Sequence, residues 1–384
     1  MLRIPVEASS AVQAPAWIEI DLAAVQHNVR ELRAVLRPGC ALIAVVKANA
    51  YGHGMVQSAK AALHAGASEL AVANVTEGAE LRAAGVLAPI LVTGPMAAEE
   101  CAIVVEHRLT PGLGTREQAE ALAAVVRPGE PFPVHIEVDT GMRRHGITTG
   151  ELRSFVHELR SRGRLALRGV FTHFHALGAD EVPAMRAQLS EYEQALALVR
   201  DLGPVQRHAA NTLGALQLPA SHLDAVRIGG GLYGFDPLRG GGAIRLRAAL
   251  ALKARILGVR DVGPGDTIGY GGTFRCARPS RLGLLPIGYA DGLCRAHWAG
   301  APVLVRGRRV PIVGLVSMNQ TVIDLTEVPE AGFGDEVVLL GAQGTERVCA
   351  EDRVPNGGST YEVTALLRRD LLRVFRAAGV ADRG

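Results

Sequence analysis

The chain has 384 residues, with 41 Lys and Arg against 38 Asp and Glu and a formal net charge of +3. Hydrophobic residues make up 48%, enough for a large core across two domains, and the composition excludes a collagen-like or disordered chain. There is no Lys/Arg block and no run of about 20 apolar residues, so neither nucleic acid nor a membrane span is expected.

Residues 1–14 lack an apolar core of signal-peptide length and are read as a flexible N-terminal extension. The five cysteines are scattered without a CxxC pair, which fits reduced thiols in the cytoplasm rather than a zinc site or a disulfide framework.

From residue 41 to about 230, eight short apolar runs recur: 41–47, 69–74, 89–94, 108–113, 133–138, 167–174, 205–210 and 225–230. Between them lie segments of helical apolar spacing, such as "GMVQSAKAALHAG" and "AMRAQLSEYEQALALVRDLG". Repeated strand–helix alternation predicts a parallel sheet. Eight units favour a (β/α)8 TIM-type barrel over a doubly wound sheet, although the run "RLTPGL" is weak. After the Gly-rich link "LRGGGA" the texture becomes strand-like, broken by Gly, Pro and Asp turns. Helix returns only in "YEVTALLRRDLLRVFRAAG" (361–379). The reading is a barrel over 15–244 followed by a mainly β domain over 245–384.

Catalytic groups of a barrel sit at the C-terminal ends of its strands. Lys47 closes the first run in "AVVKANAYGHG" (44–54), and Arg144 lies just beyond the fifth, in "VDTGMRRHG". His173 and His175 close the sixth, while His208, Asn211 and Thr212 follow the seventh. Arg227 sits in the eighth, before "GGGLYG". Each alone has a plain structural reading, as a solvated cap or a core histidine. Together they place polar groups on one rim. No HExxH, HxH or carboxylate cluster has metal-ligand spacing, so no metal is expected, and no GxSxG appears. A strand-end lysine among Gly, Asn and Thr backbone donors suggests a phosphate-bearing carbonyl cofactor. Lysine forms Schiff bases with carbonyls, and this points toward pyridoxal phosphate.

"AVVKANAYGHG" closely resembles the pyridoxal-phosphate motif of alanine racemases. The resemblance runs from "WIEIDLAAVQHNV" through "VDTGM", "FTHF", "HAANT", "VRIGGGLYG", "IGYGGTF" and "IGYADG" to "SMNQTVIDL" and "TYEV". It implies a pyridoxal 5'-phosphate-dependent racemase of a small amino acid. It also implies a homodimer whose active sites combine one subunit's barrel with the other's β domain, supplying D-alanine for peptidoglycan. Residue by residue, Lys47 is similar to the cofactor lysine and first base, and Tyr270 to the second base. Tyr51, Thr212 and Tyr361, with the backbone at Gly229 and Gly230, resemble phosphate ligands, and the neighbouring Asn211 is expected among the cofactor-binding residues. Arg227 resembles the arginine at the pyridine nitrogen, His208 its partner, and His173 the histidine beside the ring. Arg144 and the Met318 backbone resemble substrate-carboxylate contacts. Tyr289 and Asn319 match the channel that admits substrate.

The chain departs from the family pattern at several points. Glu137 stands where a lysine, carbamylated in several members, is common, and is expected to pair with Arg144 or Arg143. Arg143 and His145 replace a glycine and an aliphatic residue. Leu315, Ser317 and Asn319 replace the arginine, cysteine and aspartate of the mouth, which raises a broader, serine-accepting racemase as the other reading. A non-catalytic cofactor-binding protein would lack the second base, and "IGYGGTF" argues against it. A decarboxylase favours an acid at the ring nitrogen, and Arg227 argues against that.

Overall fold

The computed structural model describes residues 14–238, 240–354 and 359–376. All but the last residue of the expected N-terminal extension lies outside them. The described residues fall into two compact units, one over 21–249 and the other over 14–20 with 250–375.

The first unit is the eight-stranded parallel barrel. Its strands are β1 (Ala41–Val45), β2 (Glu69–Val72), β3 (Ile90–Val92), β4 (Thr110–Leu113), β5 (Phe132–Asp139), β6 (Leu165–Phe171), β7 (Gln206–His208) and β8 (Ala225–Ile228). They pair in the order β4-β3-β2-β1-β8-β7-β6-β5, and β4 pairs with β5 to close the circle. All eight apolar runs of the sequence become strands, including the weak one around Pro111. Residues buried on both faces explain why these strands show continuous apolar runs rather than alternation. The short strand Ile147–Thr148 adds beside β5.

Helices cover the barrel, with starts fixed by side-chain caps. Asp21 accepts the Ala24 N–H at 3.0 Å, Asn74 that of Glu77 at 2.9 Å, and Asn211 that of Gly214 at 3.0 Å. Along Leu22–Ala34 the buried residues Ala24, Val25, Asn28, Val29 and Leu32 trace one helical face.

The second unit is mainly β. A seven-stranded sheet is joined by a three-stranded sheet and a two-stranded hairpin. The strand Ala16–Asp21 lies here rather than in the barrel, where the sequence reading began at residue 15. It pairs antiparallel with Leu250–Arg255, Ile18 opposite Leu252. Its burial alternates, with Ala16, Ile18 and Ile20 inward, as expected of a strand covered on one face only. An ion pair between Glu19 and Lys253 at 3.2 Å supports the register. The C-terminal helix expected over 361–379 is shorter: Thr360–Ala365 is helical and Leu372–Arg376 is a strand. Asp291 breaks it. Its carbonyl accepts the Arg368 N–H at 3.1 Å and its carboxylate pairs with the Arg368 guanidinium at 3.1 Å, drawing the chain off the helical path.

Candidate active site

The segment after β1 takes an unusual path. Ala48, Asn49, Ala50 and Tyr51 all adopt left-handed φ angles, between 52° and 56°. A left-handed turn costs non-glycine residues about 1–2 kcal/mol each, so surrounding contacts must enforce it. The Ala50 N–H donates to the Val46 carbonyl at 2.8 Å, and the Gly52 N–H to that of Ala48 at 3.0 Å. Asn49 Oδ1 accepts the Met55 N–H at 2.9 Å. The buried Glu77 carboxylate accepts the Ala48 N–H at 2.6 Å and the Ala73 N–H at 2.9 Å. Tyr233 braces the turn from β8's side: its hydroxyl donates to the Val45 carbonyl at 2.9 Å, and its ring stacks on His53 at 4.5 Å.

This turn holds Lys47 at the end of β1, half-buried. Burial lowers its pKa, the Arg144 and Arg227 cations add to the effect, and Glu77 opposes it. Such a lysine is more readily a neutral amine than a solvated one.

Tyr51, at the end of the same turn, reaches the loop after β8. A Cβ at Gly229 would overlap the Tyr51 hydroxyl, so glycine alone admits it there. A Cβ on Gly231 would come within 2.8 Å of Thr212 Cγ2, and the Gly231 N–H donates to Thr212 Oγ1 at 3.3 Å. Gly230 opens the short 3-10 turn Gly230–Tyr233. Tyr51, Thr212 and a bare glycine backbone therefore meet at one place, and Asn211 caps the helix beginning at Thr212. A hydroxyl, a second hydroxyl and side-chain-free backbone suit a phosphate ester, which needs donors at close range.

Arg227, buried in β8, is the hub of a polar chain. One nitrogen donates to His208 Nδ1 at 2.8 Å and to the His208 carbonyl at 3.1 Å. The other donates to the Thr172 carbonyl at 2.6 Å and to His173 Nδ1 at 3.2 Å. Guanidinium has no acceptor, so both histidines present lone pairs to it. His208 Nε2–H then donates to His135 Nδ1 at 2.9 Å. Burial and the Arg227 charge push His135 and His173 down to about 3, and His208 also far down, so all three are neutral near pH 7. Burial lowers Arg227 itself to about 10, still cationic at neutral pH. Its face lies 5.1 Å from the Phe171 ring.

The loop after β5 carries Arg144, exposed and with no ion pair among the described residues. It is close enough to Lys47 and His173 to depress both. The expected pairing of Glu137 with Arg144 or Arg143 is not the one formed. Glu137 accepts a 2.7 Å hydrogen bond from His145 Nδ1. Arg143, at φ 55°, turns outward and pairs with Asp139 at 3.4 Å.

The remaining residues belong to the β unit. Tyr270 heads a 3-10 turn after Gly269, whose φ of 73° turns the chain. Tyr289 N–H donates to the Ser317 carbonyl at 3.0 Å and Ala290 N–H to that of Met318 at 2.9 Å. Tyr270, Tyr289, Met318 and Tyr361 all present exposed side chains, from 40% to 69% accessible. Asn319 is exposed beside Met318, and Leu315 is half-buried near Gly269.

Sequence reading missed Glu77, His135 and Tyr233. For Glu77 a signal existed: Asn74 three residues before it is a helix-start pattern that places the glutamate in the first turn.

The family model for the alanine racemase N-terminal domain matches residues 20–237, and that for the C-terminal domain matches 249–375. The chain belongs to the alanine racemase family. An alanine racemase of Syntrophobacter fumaroxidans is 40% identical over 96% of this chain and 99% of its own. One from Desulfovibrio desulfuricans is 39% identical over 94% and 98%. A solved alanine racemase from Bacillus anthracis with bound L-Ala-P has 35% identity and a TM-score of 0.88, covering 96% of both chains. A histidine racemase from Leuconostoc mesenteroides is 28% identical, with a TM-score of 0.85 and coverage of 96% and 99%. Like its family, the chain is a pyridoxal-phosphate-dependent racemase that acts on an amino acid. The glycine-lined cradle at Tyr51 and Thr212 fits that cofactor's phosphate, and Lys47 with the Arg227–histidine chain fits its carbonyl and ring. No group of His, Cys, Asp and Glu among the described residues could hold a metal ion. No helix among them is long and apolar enough to cross a membrane.

Proposed function

We propose that the protein interconverts L-alanine and D-alanine with Lys47 and Tyr270 as the two bases. The observation that carries this reading is Lys47. A strained turn holds it at a strand end, its pKa is lowered, and it lies near Arg144 and the Arg227–His173 pair.

Bound pyridoxal phosphate supplies the electron sink that makes the Cα proton of an amino acid removable. Lys47 would hold the cofactor's carbonyl end and would move the Cα proton on one face. Tyr270 does so on the opposite face, and inversion needs both. Arg227 would face the ring nitrogen and keep its own proton, which would moderate the sink and limit side reactions. Neutral His173 contributes a hydrogen bond without adding positive charge. Arg144 and the Met318 backbone take the substrate carboxylate, and Arg144 is available because no carboxylate among the described residues pairs with it. Tyr51, Thr212, Tyr361, Asn211, Gly229 and Gly230 bind the phosphate, with His208 orienting Arg227.

Tyr270 comes from a second copy of the chain in this reading. Support comes from the exposed Tyr270, Tyr289, Met318 and Tyr361, whose apolar surface suits a protein interface. The five free cysteines fit a cytoplasmic enzyme, whose D-alanine would enter peptidoglycan. Incubation of the holoenzyme with L-alanine and chiral analysis tests this: the mixture should approach equal enantiomers, and unchanged L-alanine would refute it. The similarity to a histidine racemase favours a second reading, a broader racemase on the same scaffold.

A further inference from the structure

We infer that Glu77 is a positioning residue for Lys47: its carboxylate holds the left-handed turn in the shape that aims the lysine amine. The inference rests on Lys47 being the cofactor lysine.

Glu77 is 8% exposed and lies in the first turn of Val75–Ala83, the helix after β2. Its own N–H is fixed by Asn74 Oδ1 at 2.9 Å, so the carboxylate is presented from a rigid start of helix. One oxygen accepts the N–H of Ala48, the residue directly after Lys47, at 2.6 Å. The other accepts the Ala73 N–H at 2.9 Å, where the chain leaves β2. One step earlier, the Val46 N–H donates to the Ala71 carbonyl at 2.8 Å, extending the β1–β2 ladder beyond the strands. Lys47 is therefore clamped on both sides against the same neighbouring segment.

Ala48 is also the first of the left-handed residues. An N–H at that bend points out of the ladder, and the Glu77 carboxylate is the acceptor that holds it, in a part-buried bond. Glutamate suits the task better than glutamine. Two backbone donors face its two oxygens, and a carboxylate accepts at both, whereas an amide offers one oxygen and turns its NH2 toward a donor. The charge has a second effect. Among the described groups acting on Lys47, Arg144 and Arg227 lower its pKa and Glu77 raises it; His173, also nearby, is neutral. Since Tyr51 ends the same turn, Glu77 supports the amine and the hydroxyl at the cradle together.

The test compares Glu77→Gln, Glu77→Asp and a control, Thr115→Ala, as holoenzymes. Thr115 caps a different barrel helix, accepting the Gln118 N–H at 3.3 Å, away from Lys47. Cofactor affinity, borohydride trapping on Lys47, kcat, KM for alanine and thermal midpoint are measured for each. Glu77→Gln should weaken cofactor binding and lower kcat by about 10- to 100-fold, the scale of an ångström's misplacement, with KM within about 2-fold. Glu77→Asp, which keeps the charge but is one methylene shorter, should fall between. If Glu77→Gln does not fold, the aspartate variant carries the same comparison. Wild-type kcat and cofactor affinity in a glutamate variant overturn the inference. So does an equal loss of both in Thr115→Ala at the same midpoint, because Glu77 would then be only a structural staple. Trapping of wild-type cofactor on a residue other than Lys47 refutes the site reading instead.

Discussion

Glu137 and His145 form a 2.7 Å hydrogen-bonded pair inside the loop that presents Arg144. Both are largely buried, with side-chain exposures of 6% and 12%. A carboxylate only accepts, so Nδ1–H is the donor, and His145 Nε2 is left buried without a partner among the described residues. The ring lies directly over Gly114, where a Cβ would collide with it. The pair satisfies Glu137 locally, and Arg144 makes no ion pair among the described residues.

His145→Leu should therefore do more than remove a contact. Breaking a buried pair from one side costs on the order of 3 kcal/mol, and the released carboxylate gains by capturing a nearby cation. Arg144, next in sequence to His145, is the cation it is expected to capture. KM for alanine should rise several-fold in His145→Leu and return toward wild type in the double variant with Glu137→Gln. Steady-state kinetics of the two variants decide it; a KM that does not move in His145→Leu argues against the competition.

A hybrid-dimer experiment addresses Tyr270. Lys47→Ala removes one base and Tyr270→Phe the other, so each homodimer should be inactive or nearly so. If the bases come from different chains, mixing the two proteins yields heterodimers with one intact site. Activity should recover to at most about half of wild type per heterodimer. Subunit exchange followed by mass spectrometry, with activity still absent, would show that both bases belong to one chain.

The buried histidine chain sets a pH dependence of stability. Unfolded histidine titrates near 6.5, whereas folded His135 titrates at about 3 because burial and Arg227 disfavour its charge. Between these values the unfolded chain binds the extra proton, so stability falls as pH falls. Each such group contributes a slope of up to about 1.4 kcal/mol per pH unit in that window and none above it. His208, also depressed, acts in the same direction. Urea midpoints measured from pH 7.5 to 4.5 should decline below about 6.5. His135→Gln, which cannot charge, should be less stable at pH 7 yet show a shallower decline.

The barrel was legible because its pattern is local and repeated. Runs such as "ALIAV" and "ELAV" are buried on both faces, and each ends near a polar residue that the fold brings to one rim. Lys47, His173, His208 and Arg227 could be singled out on that rule. His135 could not, and Glu77 only as a first-turn glutamate without its role, since their partners are the Ala48 amide and the His208 ring, reached only through β1–β2 and β5–β6–β7 pairing. The same holds for Ala16–Asp21, which pairs with a strand more than 200 residues later. The tail "LLRRDLLRVF" has apolar spacing compatible with a helix, but the bond from Arg368 to Asp291, a tertiary contact, converts its end to a strand.

Specificity is the property left to the mouth residues. Asn319 is exposed and Leu315 half-buried, where the family pattern has an aspartate and an arginine. The exchange removes one charge of each sign, so local net charge is unchanged while a possible ion pair is lost. An ion pair restricts its neighbours through hydrogen bonds, whereas leucine and asparagine repack at small cost. Pocket size discriminates side chains differing by one methylene only about 10- to 200-fold, so a modest relaxation is enough to admit a second substrate. A histidine racemase shares this fold at 28% identity, so histidine belongs in the substrate panel. Turnover of L-alanine, L-serine and L-histidine by the wild type should therefore place alanine first and serine within about 100-fold of it. Asn319→Asp with Leu315→Arg should widen that gap by about 10-fold through loss of serine turnover rather than gain of alanine turnover. A wild type confined to alanine, or a double variant with an unchanged ratio, would locate specificity elsewhere, with Arg144 and its Glu137–His145 support the next positions to vary.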